Sequence, residues 1–212
     1  MLAAVFAAAL AAVSSEAKDR RAPARPPDDP LETRVDLRLK KVPLPAFLDE
    51  LSQQAPVRFL AAAGLDDCRV TAFFRGATVR EALMATQELW GVAFHRSGDS
   101  PLFAFEATSR RPCPRFEPPK KAKGSCRAVE GAKPISIRCE DAPMSDFAEV
   151  VSDQTSASFF FAYGTEDFPV SLRLKGARIK TALSAAGRKA SLSVKPTGSS
   201  PVYVVTMGDK AK

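Results

Sequence analysis

The chain has 212 residues, of which 45% are apolar and 26% charged, and a formal net charge of +7. This composition excludes wholesale disorder, because enough apolar side chains are present to bury a core. The length admits one large domain or two small ones, and the basic excess favours acidic partners or anionic surfaces without bearing on fold.

Residues 1–17, MLAAVFAAALAAVSSEA, place an apolar run before small residues, the pattern of a secretory signal peptide and too short to cross a bilayer. An exported, soluble protein is expected. Residues 18–32, rich in Pro and charge, are expected to form a flexible leader. Val35, Leu37 and Leu39 then alternate with polar residues as on a half-buried strand. Leu44, Phe47, Leu48, Leu51 and Ala55 follow at helical spacing, with Pro45 in the first turn. VRFLA reads as a strand, and Val70, Ala72 and Phe74 line the inner face of the next. Thr78 and Glu81 form a capping box for a second helix buried through Val79, Ala82, Leu83 and Thr86. GVAFHR and PLFAF flank a turn-rich spacer suited to a hairpin.

Residues 107–134, rich in Pro and basic side chains, read as a linker between domains. Beyond them the same order of elements returns. Residues 33–106 register without a gap on 135–207 at an offset of 100: Pro43 meets Pro143, Phe47 Phe147, Gln54 Gln154, Phe59 Phe159, Gly64 Gly164, Gly76-Ala77 Gly176-Ala177 and Ala82-Leu83 Ala182-Leu183. About a quarter of the positions are identical, the signature of an internal repeat. The second copy lacks the capping Thr, having Arg178, and carries Gly187 within its second helix, which is expected to end that helix early. The fold class expected is α+β: two tandem βαββαββ domains, each with two helices packed against small sheets, followed by a tail at 208–212.

Four cysteines, Cys68, Cys113, Cys126 and Cys139, suit an oxidising compartment and allow three pairings. Cys113 with Cys126 is the expected bond, closing a short loop within the linker for up to about 3 kcal/mol. Cys139 is expected as a buried thiol, and Cys68 is able to reach it only if the two copies pack closely. No C-x-x-C spacing occurs and His95 is the only histidine, so no metal site or cofactor is expected, and His95 reads as an exposed strand residue without a catalytic role. Nucleotide and nucleic-acid binding are not expected, since no phosphate loop, G-x-x-G clamp or interleaved Arg-aromatic run is present.

Apolar residues on faces that alternation assigns to solvent are the candidates for a partner surface: Phe73 foremost, and Leu60 and Phe160, which a second layer would otherwise bury. The last strands, Leu102 to Phe105 and Val202 to Val205 with Phe103 and Tyr203, are candidate sheet edges that accept a partner strand. Arg110, Arg111, Arg115, Lys120, Lys121 and Lys123 in the linker are candidates for contact with an anionic membrane surface or an acidic partner.

Three stretches, Val42-Pro43-Leu44 leading into Phe47-Leu48, the Phe59 strand, and Arg75-Gly76-Ala77-Thr78-Val79 leading into Glu81-Ala82-Leu83, resemble the short N-terminal domain shared by secretins and TonB-dependent signalling receptors. The resemblance covers the first block, and the second keeps its landmarks at Pro143, Phe147, Gly176 and Ala182-Leu183. It implies a periplasmic, non-enzymatic adaptor that binds a protein of an envelope secretion, pilus or signalling assembly. A sensor or carrier holding an anionic glycan or small ligand between the repeats is the alternative expectation.

Overall fold

The structure, a computed structural model, describes residues 29–98, 100–108, 113–129, 134–197 and 202–208. The signal peptide, most of the leader, Arg110, Arg111 and the end of the tail lie outside them. The chain is mixed α+β. In the first half, β1 (Arg34–Pro43) leads into α1 (Leu44–Gln54), β2 (Arg58–Ala61), β3 (Arg69–Thr78), α2 (Val79–Trp90), β4 (Val92–Arg96) and β5 (Leu102–Ala107). After β6 (Ser125–Ala128), the second half runs β7 (Ile135–Pro143), α3 (Met144–Thr155), β8 (Ser158–Phe161), β9 (Pro169–Ala177), α4 (Ile179–Ala190), β10 (Leu192–Thr197) and β11 (Val202–Met207).

The ladders recur with the order. β1 pairs antiparallel with β3 and β7 with β9; β2 pairs parallel with β5 and β8 with β11; β4–β5 and β10–β11 are antiparallel hairpins. The identities that mark the repeat have physical tasks. Gln54 receives the Asp36 amide and donates to its carbonyl, tying helix to strand, and Gln154 does the same at Ser136. Gly76 and Gly176 both adopt φ near +60, where a side chain would be strained, and each donates its amide to the residue at that clamp, Asp36 or Ser136. Thr78 and Glu81 close the capping box expected for α2.

The halves are nevertheless not two bodies joined by a tether. A five-stranded sheet in the order β1-β3-β8-β11-β10 takes strands from both, because β3 pairs antiparallel with β8: Thr71 opposite Phe161, Ala72 opposite Phe160 and Phe73 opposite Phe159. Two three-stranded sheets, β2-β5-β4 and β6-β7-β9, complete the fold. β8 therefore has no solvent face. Phe160 enters the first core, stacked on Phe74 and 5.2 Å from the Trp90 ring centroid, while Phe159 and Phe161 enter the second.

Other expectations are corrected by this packing. Asp29–Glu32 of the leader is folded: Leu31 is buried, and Arg80 of α2 binds Asp29 and Glu32. The linker is strapped down as well. Phe116 donates its amide to the Tyr163 carbonyl, and β6 pairs with β7. A Cβ on Gly164 would collide with the Phe116 carbonyl. α4 does not end early. It runs through Gly187, where a Cβ would lie 2.8 Å from the Leu192 carbonyl oxygen, so the glycine lets helix and strand approach.

The disulfides are Cys68–Cys113 and Cys126–Cys139, not Cys113–Cys126. Strand register decides this: Cys126 stands directly opposite Cys139 in the β6–β7 ladder with Cα atoms 4.1 Å apart, and the linker's start returns over Cys68 at 5.5 Å. Among the described residues, no helix is long and apolar enough to cross a membrane.

Candidate interaction surface

The junction between the halves shows how one face of this fold receives another element. Alternation along β1 points Arg38 and Lys40 away from the first core, and the acidic helix α3 of the second half lies over them. Arg38 bonds Glu149 at 3.4 Å and also Asp153, Lys40 bonds Glu149 at 2.7 Å and Asp146 at 3.5 Å, and Arg75 of β3 bonds Asp153. Lys41 pairs with Asp167 at 2.7 Å. Burial works to lower the Lys40 ammonium, but the hydrogen bond and charge of Glu149, with Asp146, outweigh it and leave the group above its ordinary value. These pairs are half exposed, so each contributes only about 0–1 kcal/mol. Their value lies more in fixing register than in stability. Strand pairing to β8 and the buried Phe160 supply the bulk of the contact.

The same face of the second half is open. β9 occupies the place of β3, yet it is the terminal strand of its sheet, and among the described residues nothing pairs with its outer edge. Across β6, β7 and β9, Arg127 stands opposite Arg138, and Arg138 opposite Arg173. Like charges directly opposite on one face oppose sheet formation. Arg138 bonds Glu140 of its own strand, whereas Arg127 and Arg173 form no ion pair among the described residues. Lys175, two residues along from Arg173 and exposed, belongs to the same face. A hollow of about 350 Å3 lined by Arg127, Ala128, Val129, Arg138 and Arg173 follows the row, and a second of about 230 Å3 adjoins it at Gly124 and Glu140.

The candidate partner residues fall elsewhere. Phe73, the foremost of them, is buried at 2% exposure and packs edge-on against Phe161, because β8 and the second core cover the side that alternation left to solvent. Phe160 is buried for the reciprocal reason. Phe103 and Tyr203 are buried too, since β5 lies between β2 and β4 and β11 between β8 and β10, so neither is an edge strand. Tyr203 stacks on Phe159 and lines a groove of about 520 Å3 between α4 and β10, which Lys180 and Arg188 flank. Leu60 alone of the five is exposed, at 57%.

In the linker, Arg115 lies over the Tyr163 ring at 5.6 Å and Lys120 binds Asp141 at 2.7 Å. The Lys120 hydrogen bond holds the Asp141 carboxyl below its ordinary value. Both cations are thus partly engaged within the chain, whereas Lys121 and Lys123 form no side-chain ion pair among the described residues. His95 stands exposed on β4, 3.8 Å from Glu106. Among the described residues, no three His, Cys, Asp or Glu side chains gather as a metal-binding group.

The arginine row was missed by sequence reasoning. Arg127 sat in a segment read as linker, and Arg138 and Arg173 are 35 positions apart, so only the cross-strand register unites them. The signal available was Arg173 in place of Phe73, a cation where the repeat has an apolar residue. Among known proteins, no family model matches the chain, and neither a curated protein nor a solved structure matches it.

Proposed function

We propose that this chain is an exported, periplasmic, non-enzymatic adaptor that binds a protein of an envelope secretion, pilus or signalling assembly. The observation that carries the reading is the open edge of β9. The equivalent edge in the first half is a docking edge, occupied by β8, and sheet edges recruit partner strands through backbone hydrogen bonds. Two disulfides, Cys68–Cys113 and Cys126–Cys139, support an oxidising compartment. The resemblance of the first block to the short domain of secretins and TonB-dependent receptors supports the kind of partner. Affinity capture from envelope fractions, with disulfides preserved, tests the proposal: a component of such an assembly is recovered by the wild-type chain, and recovery of none would refute it. Fractionation by osmotic shock tests the compartment.

The groove between α4 and β10 favours a second reading, a carrier of an anionic glycan or small molecule held by Lys180 and Arg188 over an apolar floor. It lies within the second half and not between the repeats. Titration with anionic cell-wall fragments separates the two readings, since a carrier gives a saturable shift and the adaptor none.

A further inference from the structure

Resting on the adaptor reading, we infer that the β9 edge and the arginine row receive an acidic-helix–turn–strand element of a different protein, one whose helix carries two carboxylates four residues apart. The chain contains the template. α3 and β8 form such an element, separated by a short turn, and they dock on the first half through Glu149 and Asp153 to Arg38 and through Asp153 to Arg75 while β8 pairs with β3. The corresponding cations of the second half are Arg138 and Lys175, joined by Arg173 in the place of Phe73. The strand slot beside them, the outer edge of β9, is open among the described residues.

A second copy of this chain is the wrong occupant. Its element equivalent to α3–β8 is α1–β2, whose strand is also an edge and exposes Leu60. Repeating the internal docking between copies would set Gln53, which has no carboxylate, against Arg138 and Lys175, and Asp67 against Asp141, where the internal junction sets Asp153 against Arg38 and Arg75 and Asp167 against Lys41. The missing carboxylate and the opposed like charges reject that partner. Glu140 restricts the true one: the partner position equivalent to Asp146, which bonds Lys40 in the first half, must be neutral or basic, and the carboxylate equivalent to Glu149 is left to Arg138, as Glu149 bonds Arg38 in the first half.

The probe is a labelled synthetic peptide of residues 144–163 carrying Asp146→Lys, titrated by fluorescence anisotropy against the full chain, with sedimentation of the chain alone alongside. Saturable binding is expected, weakened at least about tenfold by Arg138→Glu with Arg173→Glu in the chain, and likewise by Glu149→Gln with Asp153→Asn in the peptide. Arg173 is exposed and the Arg138 side chain is 43% exposed, so unchanged melting of the double variant separates lost binding from misfolding. Absent binding, or binding indifferent to either charge change, overturns the inference. So does a ladder of oligomers of the chain alone that Arg173→Glu abolishes, which would make a second copy the occupant, or arginine-dependent binding to anionic phospholipid vesicles in preference to the peptide. Envelope capture that persists in the double variant removes this inference and leaves the adaptor reading standing; a wild-type chain that captures no envelope component removes the adaptor reading whatever the peptide does.

Discussion

Leu60 and Phe160 hold the same position in the two halves, yet Phe160 is wholly buried against Phe47, Phe74 and Trp90 while Leu60 is 57% exposed. The difference arises because β8 is inserted beside β3, whereas β2 has no strand on its outer side among the described residues. Phe160→Ala should therefore cost about 3–5 kcal/mol, and Leu60→Ala within about 0.5 kcal/mol. Chemical denaturation checks both. Because the two cores share β8, unfolding should remain a single transition reported alike by Trp90 fluorescence and by far-ultraviolet circular dichroism; two separated transitions would contradict a shared sheet.

The disulfide pattern is a direct test of the strand register. Peptide mapping without reduction should find Cys68 with Cys113 and Cys126 with Cys139. Replacing the first pair by serines should cost about 4 kcal/mol and the second about 3 kcal/mol in the chain-entropy account, because the first closes the longer loop.

Gly64 and Gly164 share a left-handed backbone, φ +89 and +93, but differ in surroundings. A Cβ at Gly64 meets nothing, whereas at Gly164 it meets the Phe116 backbone. Gly64→Ala should cost about 1 kcal/mol of backbone strain, and Gly164→Ala about 2 kcal/mol or more. Thermal melts of the two variants give the comparison. Equal losses would show that the linker is not held against Gly164.

Glu166 is a buried carboxyl whose removal from water raises its pKa, although its own amide and that of Gly164 hydrogen-bond to it and work in the lowering direction. A pKa raised on folding means that the group favours the native state when protonated. Its contribution is fully present below the ordinary carboxylate range and is lost as pH rises through the folded value. Glu166→Gln should remove that loss. Urea midpoints across the acid-to-neutral range should show the variant gaining on the wild type as pH rises, and parallel profiles would contradict the assignment.

Asp153 receives both Arg38 and Arg75 across the junction of the halves. Asp153→Asn should destabilise by about 1 kcal/mol at low ionic strength, with the difference shrinking in high salt. Denaturation at two salt concentrations is the check.

The sequence by itself determined the order of elements within each repeat though not β6, the inner faces of strands and helices, the capping box at Thr78 and Glu81, and the recurrence at an offset of 100. These depend on periodicity and local capping, which act between residues a few positions apart. Only the tertiary structure decided what lies on the outer faces. Alternation placed Phe73, Leu60 and Phe160 opposite the inner residues of their strands, but whether such a face meets water or another half depends on which edge β8 joins. The disulfides and the row of Arg127, Arg138 and Arg173 follow the same rule: each unites residues through strand register, and register is set by packing between segments distant along the chain, to which local propensity is blind.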